Sequence, residues 1–495
     1  MSETRSELPV DTSPEAVLPP AGATPAAEPM KGDLTQGPIL KTLIAFSIPM
    51  LIGNVIQSLN GSINAIWVGR LIGESALAAT ANANNVMFLL FGAVFGFGMA
   101  TTVRVGHHFG ARDINAARAS FGTGLGFCTI IAVFAGIAGW FWTPSLLRLL
   151  STPEESQLQA LAYLRVIFVT MPLGTISLMV SMGLRGAGDS KTPLYAMILT
   201  VLLDIVLNPL LIRGFGPIPS LGIAGSAIAT GAANFIGAAA MILVMYARDL
   251  PLRLRGTELG HLLPKSRELM FVVTKGIPMG AQMLIISSAG LVMIGLVNRE
   301  GLETAAAYGA ALQLWNFIQM PALALGSGVS AMVAQNVGAG NHSRVANITA
   351  QGIAANIIFT GLLTVLLLAF DRPLLALFLG HDSPAIPIAR HMQMIVTWSF
   401  ILVGATMILV GTMRAYGVVI LPLAVLAVSL YAARLGFYFL AYPSIGADAL
   451  WWAYPFGSVA AVSLMGAAWA WTGKRQRAGA FEAVARQAPS SSPRT

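Results

Sequence analysis

Charge is what this chain has least of. Lys, Arg, Asp and Glu make up 10% of its 495 residues, against roughly 25% in a soluble domain. So few charges cannot coat a water-facing surface, which excludes a soluble enzyme, a nucleic-acid-binding domain and a secreted scaffold. Cysteine is scarcer still. The one thiol, Cys128, sits inside an apolar run, so there is no disulfide framework, thiolate metal cluster or CxxC chemistry. What is abundant is apolar: 56% of the residues are hydrophobic and the mean hydropathy is +0.73. These residues fall into runs of about 20, the length that crosses a ~30 Å hydrocarbon core. The runs are too long for strands and lack period-two alternation. The sequence therefore predicts an all-α polytopic membrane protein.

Twelve runs stand between polar breaks, at about 42–68, 76–103, 117–142, 158–184, 192–212, 221–246, 270–297, 304–335, 345–370, 388–413, 418–441 and 447–472. The most polar interior stretch, 248–269, divides them six and six into an N-lobe over 38–247 and a C-lobe over 270–472. Residues 1–36 are rich in Pro, Ala, Glu, Ser and Thr and read as a disordered tail, with no signal peptide before the first run. Residues 473–495 form a basic tail. The net charge of +8 comes from basic residues at run ends, where they signal topology and meet anionic lipid headgroups rather than nucleic acid. Their asymmetry, with Arg112, Arg118, Arg185, Lys191, Arg344, Arg414 and the 248–275 cluster on one side, places both termini and the linker in the cytoplasm of a cell-membrane protein.

The halves repeat each other. "FSIPM" ending at Met50 returns as "KGIPM" ending at Met279, and "VGR" at 68–70 returns at the same offset as "VNR" at 297–299. With a one-residue shift, 96–111 matches 324–339. Arg185, Gly188 and Pro193 then match Arg414, Gly417 and Pro422, again at the first offset. Both copies start after an even number of runs, so they share one orientation. That is the parallel-repeat arrangement of transporters, related by an axis along the membrane normal.

Ionisable groups at membrane depth cost at least ~2.5–3.5 kcal/mol on insertion scales, so each needs a reason. Asp204 alone among the acids lies near the middle of a run. On a helix it shares a face with Thr200 and Asn208, at spacings of four. Those oxygens beside a carboxylate suit a hard cation or a proton relay; a structural acid paired with polar neighbours is the alternative. Pro209, after Asn208, removes a backbone donor. Arg434, the other mid-run charge, either gates or contacts anions, or bonds carbonyls and snorkels. His107 and His108 could sense pH, but their repeat partners are Gln335 and Asn336, which favours helix-end caps. Trp315, Met320, Trp398, Phe400, Tyr431 and Tyr438 either line a cavity for amphiphilic cations or simply pack.

The anchors carry a resemblance. "SINAIWVGRLIGESALAA", "VGHHFGARD", "LRGAGDSKTPLYAMILTVLLDIVLNPLLI" and "VAQNVGAGN" resemble the multidrug and toxic compound extrusion transporters, over about 38–472. The resemblance implies two six-helix lobes that rock about a central cavity. It implies an antiporter that exports organic, cationic amphiphiles as proton or sodium enters, with no other cofactor. By motif position, Asn64 stands where relatives carry an aspartate. Asp204 and Asn208 stand where one branch has an asparagine and an aspartate, and Thr230 matches a first-lobe cation-site threonine. The implied site is Asn64, Asp204, Asn208 and Thr230, with sodium, if any metal, at Asp204. The acids that some relatives carry in spans seven and ten are absent: the stretches around Ile286 and Val403 are apolar. Trp315, Met320, Trp398 and Tyr431 are the candidate substrate-cavity residues. The expected partners are a small organic substrate and membrane lipids, and the expected state is a monomer. A lipid-linked oligosaccharide flippase of the same superfamily is the alternative; it would need a cavity ringed by Arg and Lys, and the spans offer mainly Arg104 and Arg434.

Overall fold

The structure, a computed structural model, describes residues 32–149, 154–214, 216 and 219–487; most of the 1–36 tail and residues 488–495 lie outside them. The first half folds as α1 (Ile39–Leu71), α2 (Glu74–Gly110), α3 (Ile114–Leu149), α4 (Glu154–Gly186), α5 (Lys191–Arg213) and α6 (Gly222–Ala247). The second half begins with α7 (Ser266–Val297), α8 (Leu302–Gly338) and α9 (His342–Ala369). A short α10 (Asp371–Leu379) precedes α11 (Ala385–Val396) and α12 (Ser399–Ala415). Then come α13 (Ile420–Ala427), α14 (Gly436–Ile445) and α15 (Asp448–Gln487). No strand occurs among the described residues. Eight single helices, α1 and α3 to α9, and the α13–α14 unit are each long and apolar enough to cross a bilayer. Helices α2 and α15 are 37 and 40 residues long.

Several boundaries differ from the sequence reading. The run expected at 388–413 is two helices, α11 and α12, bent by 47° at their junction. There Ser399 Oγ donates to the Val396 carbonyl at 2.7 Å, and Thr397 Oγ1 accepts from Trp315 Nε1 at 3.2 Å. Ser399 thus takes the Val396 carbonyl while the Phe400 amide turns to Thr397, a side-chain intrusion of the kind that kinks helices. Between α13 and α14 the chain stays helical through a π-helical stretch, Val428–Leu435, which holds Arg434. Helix α15 runs beyond the expected end at 472, through Ala-, Arg- and Gln-rich sequence of high helix propensity. The linker is packed rather than loose: Leu250, Leu252 and Leu254 are buried. Arg118 of α3 donates to the Pro251 carbonyl at 2.8 Å and to Glu258 at 2.7 Å. The Arg255 amide and then Arg118 hold the Glu258 carboxyl below its ordinary range.

The two halves meet at one end of the bundle, where α2, α4, α6, α8 and α12 finish. The repeat equivalents α2 and α8 cross there so closely that Gly110 lies on the Gln335 carbonyl and Gly338 on the His107 carbonyl. A side chain at either glycine would overlap backbone. Arg104 of α2 grips both oxygens of Glu268, in the first turn of α7, at 2.9 and 3.0 Å, and Ser120 donates to the same carboxylate at 2.7 Å. Bidentate pairing of this kind is among the stronger polar contacts. His107 caps the end of α12, whose last residue is Ala415, rather than that of its own helix, and His108 caps neither. His107 Nε2 meets the Ala415 carbonyl at 2.6 Å, and His108 faces Glu268 at 3.8 Å, both across the seam.

The segment before α1 crosses the same seam. Leu34 is buried, its N–H donates to Gln335 Oε1 at 2.8 Å, and its carbonyl accepts from Asn336 at 3.2 Å. Asp33 pairs with Arg112 of the first half at 3.5 Å. Asp33 and Leu34, expected to belong to a disordered tail, are therefore docked, because Leu34 brings an apolar side chain and a backbone that the buried amides of α8 satisfy. Leu43, Phe46 and Met50 of α1 share one core with Val329, Met332 and Ile348 of the second half, so α1 packs on both halves.

Candidate ion-coupling site

Helices α1, α2, α4, α5 and α6 of the first half surround a cavity of about 480 Å³. Its wall is mixed: Met87, Phe91 and Met171 are apolar, whereas Gln57, Asn60, Asn64, Thr170 and Asn234 are neutral and polar. Asp204 of α5 faces it and is only 2% exposed. Pro209, five positions on, sits inside α5 without breaking it.

Three side chains donate to the Asp204 carboxylate. Thr230 Oγ1 of α6 and Asn208 Nδ2, one turn along α5, both reach Oδ1 at 2.9 Å. Asn60 Nδ2 of α1 reaches Oδ2 at 3.0 Å. Asn208 also donates to the Asp204 backbone carbonyl at 3.0 Å. Asn60 and Asn208 each leave their Oδ1 buried without a partner. The site thus holds a carboxylate, a hydroxyl and two unsatisfied amide oxygens. Tyr163 is buried in the same wall. Among the described residues, no basic side chain bonds Asp204.

The expected cluster is assembled, with one exchange of roles. Asp204, Asn208 and Thr230 are bonded together. Asn64 faces the same cavity, but its Oδ1 accepts from Ser226 of α6 at 3.1 Å rather than meeting Asp204. Asn60, one turn earlier on α1, takes the place expected of Asn64, and neither Asn60 nor Ser226 was singled out from the sequence. Thr200 is not a partner of the carboxylate either, since its hydroxyl donates back to the Ala196 carbonyl at 3.0 Å.

The expected substrate-cavity residues fare differently. Trp315 and Met320 are buried, at 1% and 7% exposure, and neither is among the residues that line the Asp204 cavity. Trp315 packs against Tyr308, Phe400 and Tyr454, at ring distances of 5.9, 5.6 and 5.6 Å. Its indole satisfies its N–H on Thr397, as a buried Trp must. Trp398 and Tyr431 are partly exposed, and the Tyr431 hydroxyl bonds Ser288 of α7 at 2.6 Å. Arg434 lies with its Cζ 4.3 Å over the Tyr454 ring.

A family model, MatE, matches the chain twice, over residues 49–210 and 278–440. The chain belongs to the MatE family. The offset between the two match starts equals that from Met50 to Met279, the spacing of the sequence repeat. Among MatE relatives, the chain is 32% identical to the probable multidrug resistance protein YoeA of Bacillus subtilis, over 86% of this chain and 92% of that one. It is 26% identical to the probable multidrug resistance protein NorM of Thermotoga maritima, over 83% and 88%. It is also 26% identical to an FAD transporter of Shewanella oneidensis, over 70% and 75%. In fold it matches the outward-facing conformation of a multidrug resistance MATE family transporter, with a TM-score of 0.82, 22% identity and coverage of 92% and 99%. The bent form of the Vibrio cholerae transporter VcmN matches with a TM-score of 0.80, 22% identity and coverage of 87% and 96%. The all-helical membrane architecture is thus that of the MATE transporters, and these relatives are multidrug efflux proteins and transporters rather than enzymes.

Proposed function

We propose that this MATE transporter is a secondary active exporter of organic, cationic amphiphiles, coupled through Asp204 to the entry of protons or sodium. The observation that carries this reading is a buried carboxylate at membrane depth, held by three neutral donors and bonded to no base among the described residues. A structural acid at such a cost would be expected to find a cation within the protein. A proton neutralises the carboxylate outright. Sodium would have one formal charge to meet, with the Asn60 and Asn208 oxygens as further ligands, so we favour the proton.

Coupling needs the ion to bind one lobe arrangement better than the other. Asp204 is bonded from α1, α5 and α6 at once. Neutralising it weakens three charge-assisted hydrogen bonds and frees these helices to repack, shrinking the cavity and favouring substrate release. In this reading 38–247 and 270–472 act as two six-helix lobes, twelve spans in all. The α2–α8 seam is the closed cytoplasmic face, both termini lie on that side of the cell membrane, and the protein works as a monomer. The flippase alternative is not favoured: Arg104 is engaged by Glu268 and Arg434 by Tyr454, and the described residues of the cavity wall include no base. The test is efflux of a fluorescent organic cation from proteoliposomes, with pH and sodium gradients imposed separately. Efflux driven by the pH gradient alone supports the proposal. Efflux that ignores both gradients contradicts it.

A further inference from the structure

On the lipid side of the first half, α3 and α4 enclose a second hollow, of about 340 Å³, lined by Gly136, Ile137, Trp140, Phe168, Val169 and Pro172 among others. The lining is apolar, and Ile137 and Val169 are each more than half exposed. Its floor forms because Gly136 lets α3 lie on the Phe168 carbonyl. One turn outward from Phe168 on the same face of α4 stands Arg165. Its guanidinium carbon lies 5.2 Å over the Trp140 ring, and its Nε is buried without a hydrogen-bond partner. From Gly186, at the closed face, to Arg165 the helix runs about 31 Å, one hydrocarbon thickness. Arg165 and Trp140 therefore stand at the headgroup level of the opposite leaflet, where tryptophan concentrates, and the apolar groove leads from them toward the membrane centre.

We propose that this groove binds one phospholipid of net negative headgroup charge, its phosphate on Arg165 and one acyl chain along α3 and α4. The occupant follows from charge and place. A groove open to lipid is filled by an acyl chain, and the Arg165 cation stands beside it, over the ring of Trp140, one of its lining residues. Arginine's planar fork suits a phosphate. Among the described residues, the groove lining holds no acid to meet the amine of a zwitterionic lipid, so an anionic headgroup is preferred. The site also touches the coupling cavity. Ile167, Thr170 and Met171 line that cavity from the other face of α4, so the bound lipid braces the wall behind Asp204.

The experiment is native mass spectrometry of the purified, delipidated full chain, titrated with phosphatidylglycerol or phosphatidylcholine. The wild type should retain one phosphatidylglycerol at least fivefold more readily than phosphatidylcholine. Arg165→Gln should lose that preference, whereas Arg213→Gln, at the outer end of α5, should keep it. Val169→Trp, which fills the groove and leaves Arg165 in place, should lose the bound lipid as well, and it decides the question if Arg165→Gln does not fold. Equal retention of both lipids by the wild type, or undiminished phosphatidylglycerol retention by folded Arg165→Gln or Val169→Trp, overturns the proposal.

Discussion

In the first half, α1 and α5 bring Asn60 and Asp204 together at a polar cavity. Their counterparts at the repeat offset, in α7 and the π-helical stretch, are Ala289 and Ala433. Asn64 and Asn208 likewise become Met293 and Phe437. Ala289 and Met293 are fully buried. Where the first half keeps a carboxylate and its donors, the second keeps an aromatic core: Tyr308, Trp315, Phe400 and Tyr454, with Arg434 on the Tyr454 ring. The Tyr308 and Tyr454 hydroxyls satisfy each other at 2.5 Å. The difference teaches that the repeat specifies the chain path through apolar patterning and small-residue contacts such as Gly110 on Gln335. A handful of polar side chains then decides which half keeps a buried carboxylate. On the proposed function, one half changes charge and the other stays packed.

The comparison breaks most visibly if the acid can be moved. Asp204→Asn should reduce gradient-driven efflux to background. Adding Ala433→Asp to that variant should not restore it, because the second half offers no asparagine or threonine donors at that place. Restored efflux in proteoliposomes would show that the halves are interchangeable. A smaller effect concerns the seam that both halves share. Glu268→Gln removes the charge that Arg104 and Ser120 hold, and should shift the equilibrium of the closed face toward opening by about 1–3 kcal/mol. Distances between spin labels on the two lobes, measured with and without the substitution, check this.

Within the first half, Asn60 and Asn64 can be separated. Asn60→Ala removes a hydrogen bond to a charged acceptor, with a contribution of about 1.5–3 kcal/mol, and should shift the ion concentration for half-maximal efflux by roughly ten- to a hundredfold. Asn64→Ala breaks only the bond from Ser226 and should shift it by less than about threefold, on the scale of a neutral pair. The reverse order would give Asn64 the role that the family resemblance assigned to it. The smallest effect lies in the second half. Tyr308→Phe should lower stability by about 1 kcal/mol, seen as thermal unfolding in detergent, with the ion dependence of transport unchanged.

Much of the fold could be read from composition and the repeat, because membrane spans announce themselves by length and because Pro49 and Pro278, or Gly188 and Gly417, punctuate both halves alike. The site was readable as far as Asp204 was alone in its span and Asn208 stood one turn away. What was not readable is rotational. A helix that is apolar all round gives no stripe to show which side faces inward, so Trp315 and Met320 could not be told from cavity residues. Nor could Asn60 be told from Asn64, which share a face of α1. The bend at Thr397–Trp398 lacks the proline or glycine that would have marked it. The docking of Leu34 depends on Gln335 and Asn336, which belong to the other half of the chain and lie at the far end of α8.

The most direct test of Asp204 as the coupling residue compares two assays on one set of Asp204→Asn proteoliposomes: exchange of labelled for unlabelled substrate at equilibrium, and accumulation driven by an imposed ion gradient. The account predicts exchange near the wild-type rate with no driven accumulation, since the variant still rocks and binds but no longer senses the ion. Driven accumulation at the wild-type level, or loss of exchange together with accumulation in a folded variant, would contradict it.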